Sequence, residues 1–207
     1  MHTNWYALFM GTRKHIVTKA LGLFICKSYK AATIADLEVA TGMTKGAFYH
    51  YFKSKEELFI EVIDNYYLTC LILSIEGSSH GTPLKVAIER QIDQIRLRIE
   101  EIKEITNKEV LDPHLFLLFI EAKAYYPNFM EKARDREVKY QNNWEDIIKS
   151  AKEKNEINSN IDTTILAINI AALAGSIFKS ILKEQSVDRS LFLLKMQYEQ
   201  IYSLIKL

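Results

Sequence analysis

The sequence predicts an all-α protein. Only seven Gly and three Pro stand among 207 residues, which leaves little material for long loops or hairpins. Apolar residues recur at helical spacing over long segments, and most of these segments open on a Ser, Thr or Asp able to cap them. Nine to ten helices follow: a three-helix head containing a helix-turn-helix, joined through a long helix to an all-helical body.

Helix 1 is expected over about Thr12 to Lys27, with Ile16, Ala20, Leu23 and Phe24 on one stripe. Arg13 and Lys14 lie outside it, as phosphate contacts or as a solvated basic face. Thr33 with Asp36 three positions on is a capping pattern for a helix from Ile34 to about Thr41. Gly42 suits a left-handed turn there, and Thr44 caps the next helix. Two short helices joined through such a turn make a helix-turn-helix.

The second of them carries side chains suited to nucleic acid. Lys45 can reach a phosphate or base edge, Gly46 and Ala47 permit close approach, and Tyr49 and His50 can donate to phosphate oxygens. Phe48 and Phe52, four apart, are expected to face inward. Ser54-Lys55-Glu56-Glu57 is a capping box opening a long helix to about Ile75, and Lys55 with the first amides could hold a further phosphate. The bland alternative is a packed helical corner with an aromatic core.

Segment Thr12–Leu58 resembles the DNA-binding domain of the TetR family of bacterial transcriptional regulators. The resemblance is carried by Phe24, Thr33, Asp36-Leu37, Gly42-Met43-Thr44, Lys45-Gly46, Phe48-Tyr49-His50-Tyr51-Phe52, Ser54-Lys55-Glu56 and Leu58. The chain departs from the family at Ser28, where Gly is common, and at Glu38-Val39, where a small Ala and a polar residue are common. The resemblance implies a DNA-binding domain over residues 1–58 and a helical effector-binding and dimerisation domain over 59–207. It also implies a cytoplasmic homodimer, a pseudo-palindromic double-stranded operator and a small-molecule effector. The DNA contacts it suggests are Thr33, Thr44, Lys45, Gly46, Ala47, Tyr49, His50 and Lys55.

Charge distribution agrees. Residues 1–55 hold eight Lys/Arg against two Asp/Glu, a net +6, and residues 56–207 hold 19 against 24, a net −5. A basic head on an acidic body is the asymmetry expected when one end meets phosphates. Cys26 and Cys70 sit in apolar helical contexts and are expected to be buried free thiols of a reducing compartment. The apolar start, Met1–Met10, lacks the marks of a signal peptide. It is either an extension ahead of a start at Met10 or a strap on the body.

In the body, Gly77–Gly81 breaks the connecting helix, and Thr82-Pro83 starts one to about Lys108, with Thr82 as cap. Asp112-Pro113 starts another whose run Leu115–Ile120 is apolar all round and is expected to be buried on every side. A long amphipathic helix follows over about Asn128–Lys154. Ser159–Asp162 then caps a very apolar helix, Thr164–Leu182, read as a buried subunit-interface helix and not a membrane span because Asn169, Ser176, Lys179 and Ser180 interrupt it. Ser186–Asp188 begins the last helix.

For the dimer, the resemblance implies that the Asn128–Lys154 and Thr164–Leu182 helices pair across a two-fold axis, with Ile147, Ile168, Ala171, Ala172, Gly175, Ser176 and Lys179 as the candidate contacts. For a hydrophobic or aromatic effector, the candidates are Tyr66, Tyr67, Phe116, Phe119, Tyr125 and Trp144, with Glu121 and Asn169 as orienting polar groups. The five histidines have no metal-ligand spacing, and phosphate loops and nucleophile elbows are absent. No enzyme activity, cofactor or metal is expected. An architectural DNA-binding protein without an effector, and a helical enzyme or interaction module with a helix-turn-helix head, are the rival readings.

Overall fold

The structure, a computed structural model, describes residues 5–67, 78–108 and 114–207. Its described residues form α1 (Trp5–Lys27), α2 (Ile34–Thr41), α3 (Lys45–Tyr51), α4 (Lys55–Val62), α5 (Leu84–Thr106), α6 (Leu115–Tyr125), α7 (Phe129–Glu153), α8 (Thr163–Gly175), α9 (Ile177–Glu184) and α10 (Val187–Ile205). They fall into two compact units, one of residues 1–68 with 102–130, the other of 69–101 with 131–207.

In the first unit α1 begins at Trp5 and runs unbroken through Met10, so residues 5–10 lengthen the first helix. Phe24, Leu37, Phe48, Phe52, Leu58 and Phe59 are buried together with α1's Ile16 and Leu21. Each contributes on the order of 1.5–3 kcal/mol by leaving water. Rings meet edge to face at 5.7 Å for Phe24 and Phe59 and stack at 5.8 Å for Phe48 and Phe52.

The caps form largely as the residues demand. Thr33 Oγ1 accepts from the Asp36 amide at 3.2 Å, and Asp36 Oδ2 accepts from the Thr33 amide at 2.8 Å. Gly42 takes φ 71° and closes α2. Ser54 Oγ accepts from the Glu57 amide at 3.1 Å, but Glu57 answers on the Lys53 amide at 2.7 Å, one residue earlier than a capping box requires.

The connecting helix departs from its expected course. Regular α4 ends at Val62 and continues as a π-turn over Ile63–Tyr67, a wider turn that proteins use sparingly. The Tyr66 and Thr18 hydroxyls hydrogen-bond to each other at 2.6 Å, and Tyr126 Oη donates to Asp64 Oδ1 at 2.7 Å. The expected run to Ile75 lies outside the described residues, as do Gly77, Cys70 and Asp112-Pro113.

In the second unit Trp144, Ile147 and Ile148 of α7 are fully buried, as are Leu84, Ala87 and Ile99 of α5. Thr82 does not cap α5: its hydroxyl accepts from the Ser79 amide at 3.2 Å. Glu156 supplies the acceptors from the end of α7, taking the Leu84 amide at 2.9 Å and the Lys85 amide at 3.1 Å. A carboxylate outweighs a hydroxyl at the positive end of a helix.

The very apolar segment is two helices in near succession. Asp162 Oδ1 caps α8 on the Ile165 amide at 2.8 Å. At Ser176 the chain stays in the right-handed helical region (φ −77°, ψ −11°), and the Ser176 amide reaches the Ala172 and Leu173 carbonyls, so α9 resumes at once. By length and composition residues 163–184 suffice to cross a membrane.

Candidate nucleic-acid interface

α3 carries the site. Thr44 Oγ1 holds its first turn on the Ala47 amide at 3.3 Å, and the buried ring of Phe48 anchors its inner side. Thr44, Lys45, Gly46, Tyr49 and His50 are left exposed on the other side, with Ala47 half-buried between. A Cβ built at Gly46 would meet nothing within 4 Å. The glycine therefore answers no packing need inside the chain.

Cations around α3 divide into two sets. Arg13, a possible phosphate contact in the sequence, is committed to the interior. Its Nε donates to Glu61 at 2.9 Å, a terminal nitrogen reaches the Tyr51 carbonyl, and the guanidinium lies 4.1 Å from the Phe52 ring centre. Lys27 pairs with Asp36 at 2.7 Å.

Lys55 requires a correction. Its Nζ donates to the Tyr29 carbonyl at 2.8 Å and the Ala32 carbonyl at 2.7 Å, 4.5 Å from the Tyr29 ring centre. It closes the turn after α1 and is not aimed at a phosphate, and burial lowers its pKa. Thr33 is likewise occupied, its hydroxyl donating to Asp36 Oδ2 at 2.7 Å.

The turn after α1 is gripped from the other side. Glu121 of α6, expected to orient an effector, accepts the Tyr29 amide at 2.8 Å and the Lys30 amide at 3.0 Å. Tyr29 stacks on Phe59 at 4.0 Å and lies 5.4 Å from Tyr125. Ser28, at the family's glycine position, holds φ 68° and accepts the Ala31 amide at 3.3 Å. The side-chain bond offsets part of the left-handed cost, about 1–2 kcal/mol for an L-residue. Glu38, where a small residue is common, accepts from the Lys45 amide. α2 thereby caps α3, and Val39 beside it stays 86% exposed.

Other expectations fare unevenly. Cys26 is exposed and not buried. α6 is not buried on every side, since Phe116, Leu117, Phe119, Ile120 and Tyr125 all keep exposed surface, although Phe119 meets Phe129 at 5.6 Å. Of the effector candidates, Tyr66 is buried on Thr18, the side chain of Tyr67 lies outside the described residues, and Trp144 belongs to the core of the second unit. Asn169 is exposed on α8. The candidates are thus not gathered within one unit.

Among the dimer candidates, Ile147 is fully buried in its own chain and has nothing to offer a partner. Ile168, Ala172, Gly175, Ser176 and Lys179 are exposed and Ala171 half-buried. Phe192 and Met196 of α10, which sequence reasoning missed, are about half-exposed at 51% and 48%. Their four-residue spacing on a second side of an already amphipathic helix was the available signal. An open, mainly apolar groove of about 730 Å³ runs between these helices, lined by Leu173, Ile177, Leu193 and Met196 among others.

Two short helices, a left-handed turn and a helix presenting basic and aromatic side chains outward define a helix-turn-helix protein. Residues 16–62 match the profile of the bacterial regulatory proteins, tetR family. The chain is 33% identical over 82 residues to YerO of Bacillus subtilis (strain 168), an uncharacterized HTH-type transcriptional regulator, covering 39% of this chain and 28% of that one. It is 29% identical over 102 residues to the HTH-type transcriptional regulator AcrR of Shigella flexneri, covering 48% and 47%. The matches span less than half the length of these curated relatives. The fold extends further: a TetR transcription regulator from Haloarcula marismortui ATCC 43049 superposes with TM-score 0.69 at 13% identity, covering 96% of this chain and 100% of that one. The likeness to the tetR family is carried by residues 16–62, and the solved structure shares the fold over nearly the whole chain.

Proposed function

We propose that the chain acts in the cytoplasm as a homodimeric, sequence-specific DNA-binding regulator, a repressor that leaves its operator when a small hydrophobic or aromatic effector binds. The observation that carries this reading is the outward face of α3. Lys45, Tyr49 and His50 stand exposed around a glycine with open space above it, while Arg13, Lys27 and Lys55 are spent within the head. Such a face suits a major groove, with one α3 from each subunit reading half of a pseudo-palindrome.

Dimerisation through α8, α9 and α10 is supported by the exposed Ile165, Ile168, Phe192 and Met196, apolar surface that a partner subunit would cover. An effector with a hydrogen-bond acceptor is supported by two buried donors of the second unit, Trp144 Nε1 and Gln91 Nε2. Neither has a partner among the described residues, although Tyr140 Oη reaches Gln91 Oε1 at 3.2 Å. Each orphan costs about 1–3 kcal/mol until water or an effector supplies an acceptor.

The switch we propose runs through α6. Any displacement of that helix pulls Glu121 against the Tyr29 and Lys30 amides and so moves the turn that Lys55 ties to α4. An effector shifts this balance only by binding one arrangement better than the other.

Selecting bound sequences from a random duplex pool, with the purified protein at near-physiological salt, tests the reading. An inverted repeat is expected. Binding without a consensus that vanishes as salt rises indicates an architectural protein, and no binding at any salt overturns the DNA-binding role.

A further inference from the structure

We propose that Glu38 is a specificity-determining residue that reads one cytosine in each half of the operator. The inference rests on the DNA-binding reading above and names a base that this site selects.

Residues 1–55 contain two acidic side chains, Asp36 and Glu38. Asp36 is accounted for by Lys27 at 2.7 Å and the Thr33 amide at 2.8 Å. Glu38 differs: the partner the structure gives it is the Lys45 amide, on Oε1, and no salt bridge pairs it with a cation among the described residues. An unneutralised carboxylate on a face that meets phosphates weakens binding uniformly. An acid kept there calls for a compensating role.

Position supplies one. The carboxylate lies within hydrogen-bond reach of the first residue of α3, and the first residues of the second helix are those that a helix-turn-helix brings to base edges. The Lys45 amide holds one oxygen, orienting the side chain and leaving acceptor capacity on the other. Gly46, the next residue, has no Cβ to keep the duplex away.

Base chemistry then narrows the choice. A carboxylate only accepts, so it requires a donor in the major groove, and only the cytosine N4 and adenine N6 amino groups donate there. Adenine sets the N7 acceptor beside its amino group, which repels a carboxylate. Cytosine presents the donor alone.

The test compares selections from a random duplex pool for the wild-type protein, Glu38→Gln and Glu38→Ala, with a melting curve for each. Wild type is expected to recover cytosine at one symmetric position per half-site, favoured roughly tenfold or more. Glu38→Gln is expected to exchange it for adenine, whose N6 and N7 a carboxamide engages together. Glu38→Ala is expected to lose the preference there while keeping the rest of the consensus. If all folded variants return the wild-type consensus and only the melting temperature falls, Glu38 is a cap for α3 and the inference is wrong. A wild-type protein that yields no consensus overturns the regulator reading, and this inference with it.

Discussion

Two lysines ten residues apart show how little residue type says without surroundings. Lys45 is exposed on α3, whereas Lys55 donates to the Tyr29 and Ala32 carbonyls. Lys45→Ala is expected to leave the melting transition nearly unchanged, within about 0.5 kcal/mol, and to lower the magnitude of the log-affinity against log-salt slope by roughly one unit. Lys55→Ala is expected to destabilise by about 1–3 kcal/mol, because two carbonyls lose a charged donor. Thermal melting and salt-dependent operator binding of both variants check the contrast. Asp36 gives a pH signature. Its hydrogen bond from Lys27, first, and those from Thr33 hold its pKa well below the usual carboxylate range. A depressed folded pKa means the contribution is fully present above the unfolded value, near about 3.9, and is lost as pH falls through the folded one. Unfolding followed from pH 7 down to 2 is expected to show Asp36→Asn losing less stability below pH 4 than the wild type does.

Helix termini and turns were legible because their causes are local. Thr33, Gly42, Thr44, Ser54, Asp162 and Ser186 all sit at the helix ends that the residues imply. Thr82 failed as a cap because Glu156, far away in sequence, brings a charge to the same amides. The turn after α1 is another such case. Nothing near residues 28–32 announces that Glu121 and Lys55 will grip it from opposite ends. Glu121→Gln keeps an acceptor but gives up the charge, so a modest loss of stability, about 0.5–1.5 kcal/mol, is expected. If α6 drives the head, the variant is also expected to hold its operator less sensitively to effector than the wild type does. Equal effector response in a binding titration would assign Glu121 to stability alone.

For the whole molecule the decisive question is which apolar surface is already used. α7 was expected at the subunit interface, but Trp144, Ile147 and Ile148 are consumed by its own unit. In the second unit α8 leaves Ile165 and Ile168 exposed and α10 leaves Phe192 and Met196 exposed. Ile168→Glu combined with Phe192→Asp is therefore expected to give a folded monomer in sedimentation equilibrium that binds operator far more weakly, while Ile147→Ala costs about 2–5 kcal/mol without dissociating the dimer at equal folded concentration. A dimer that survives the double substitution would place the interface elsewhere.

By itself the sequence determined the helical class, the helix-turn-helix, most helix ends and the outward residues of α3. Each of these depends on residues within a turn or two of one another, through capping bonds, backbone preference and the 3.6-residue period. Only the tertiary structure decided that Arg13 and Lys55 are structural, that Glu121 holds the first turn, that Glu156 caps α5 and that Ile147 is core. These outcomes depend on which distant group reaches an amide, a carbonyl or an apolar face first. A long side chain carries the same charge and reach in the sequence whether it will meet a phosphate or a carbonyl, and only the packed chain selects its partner.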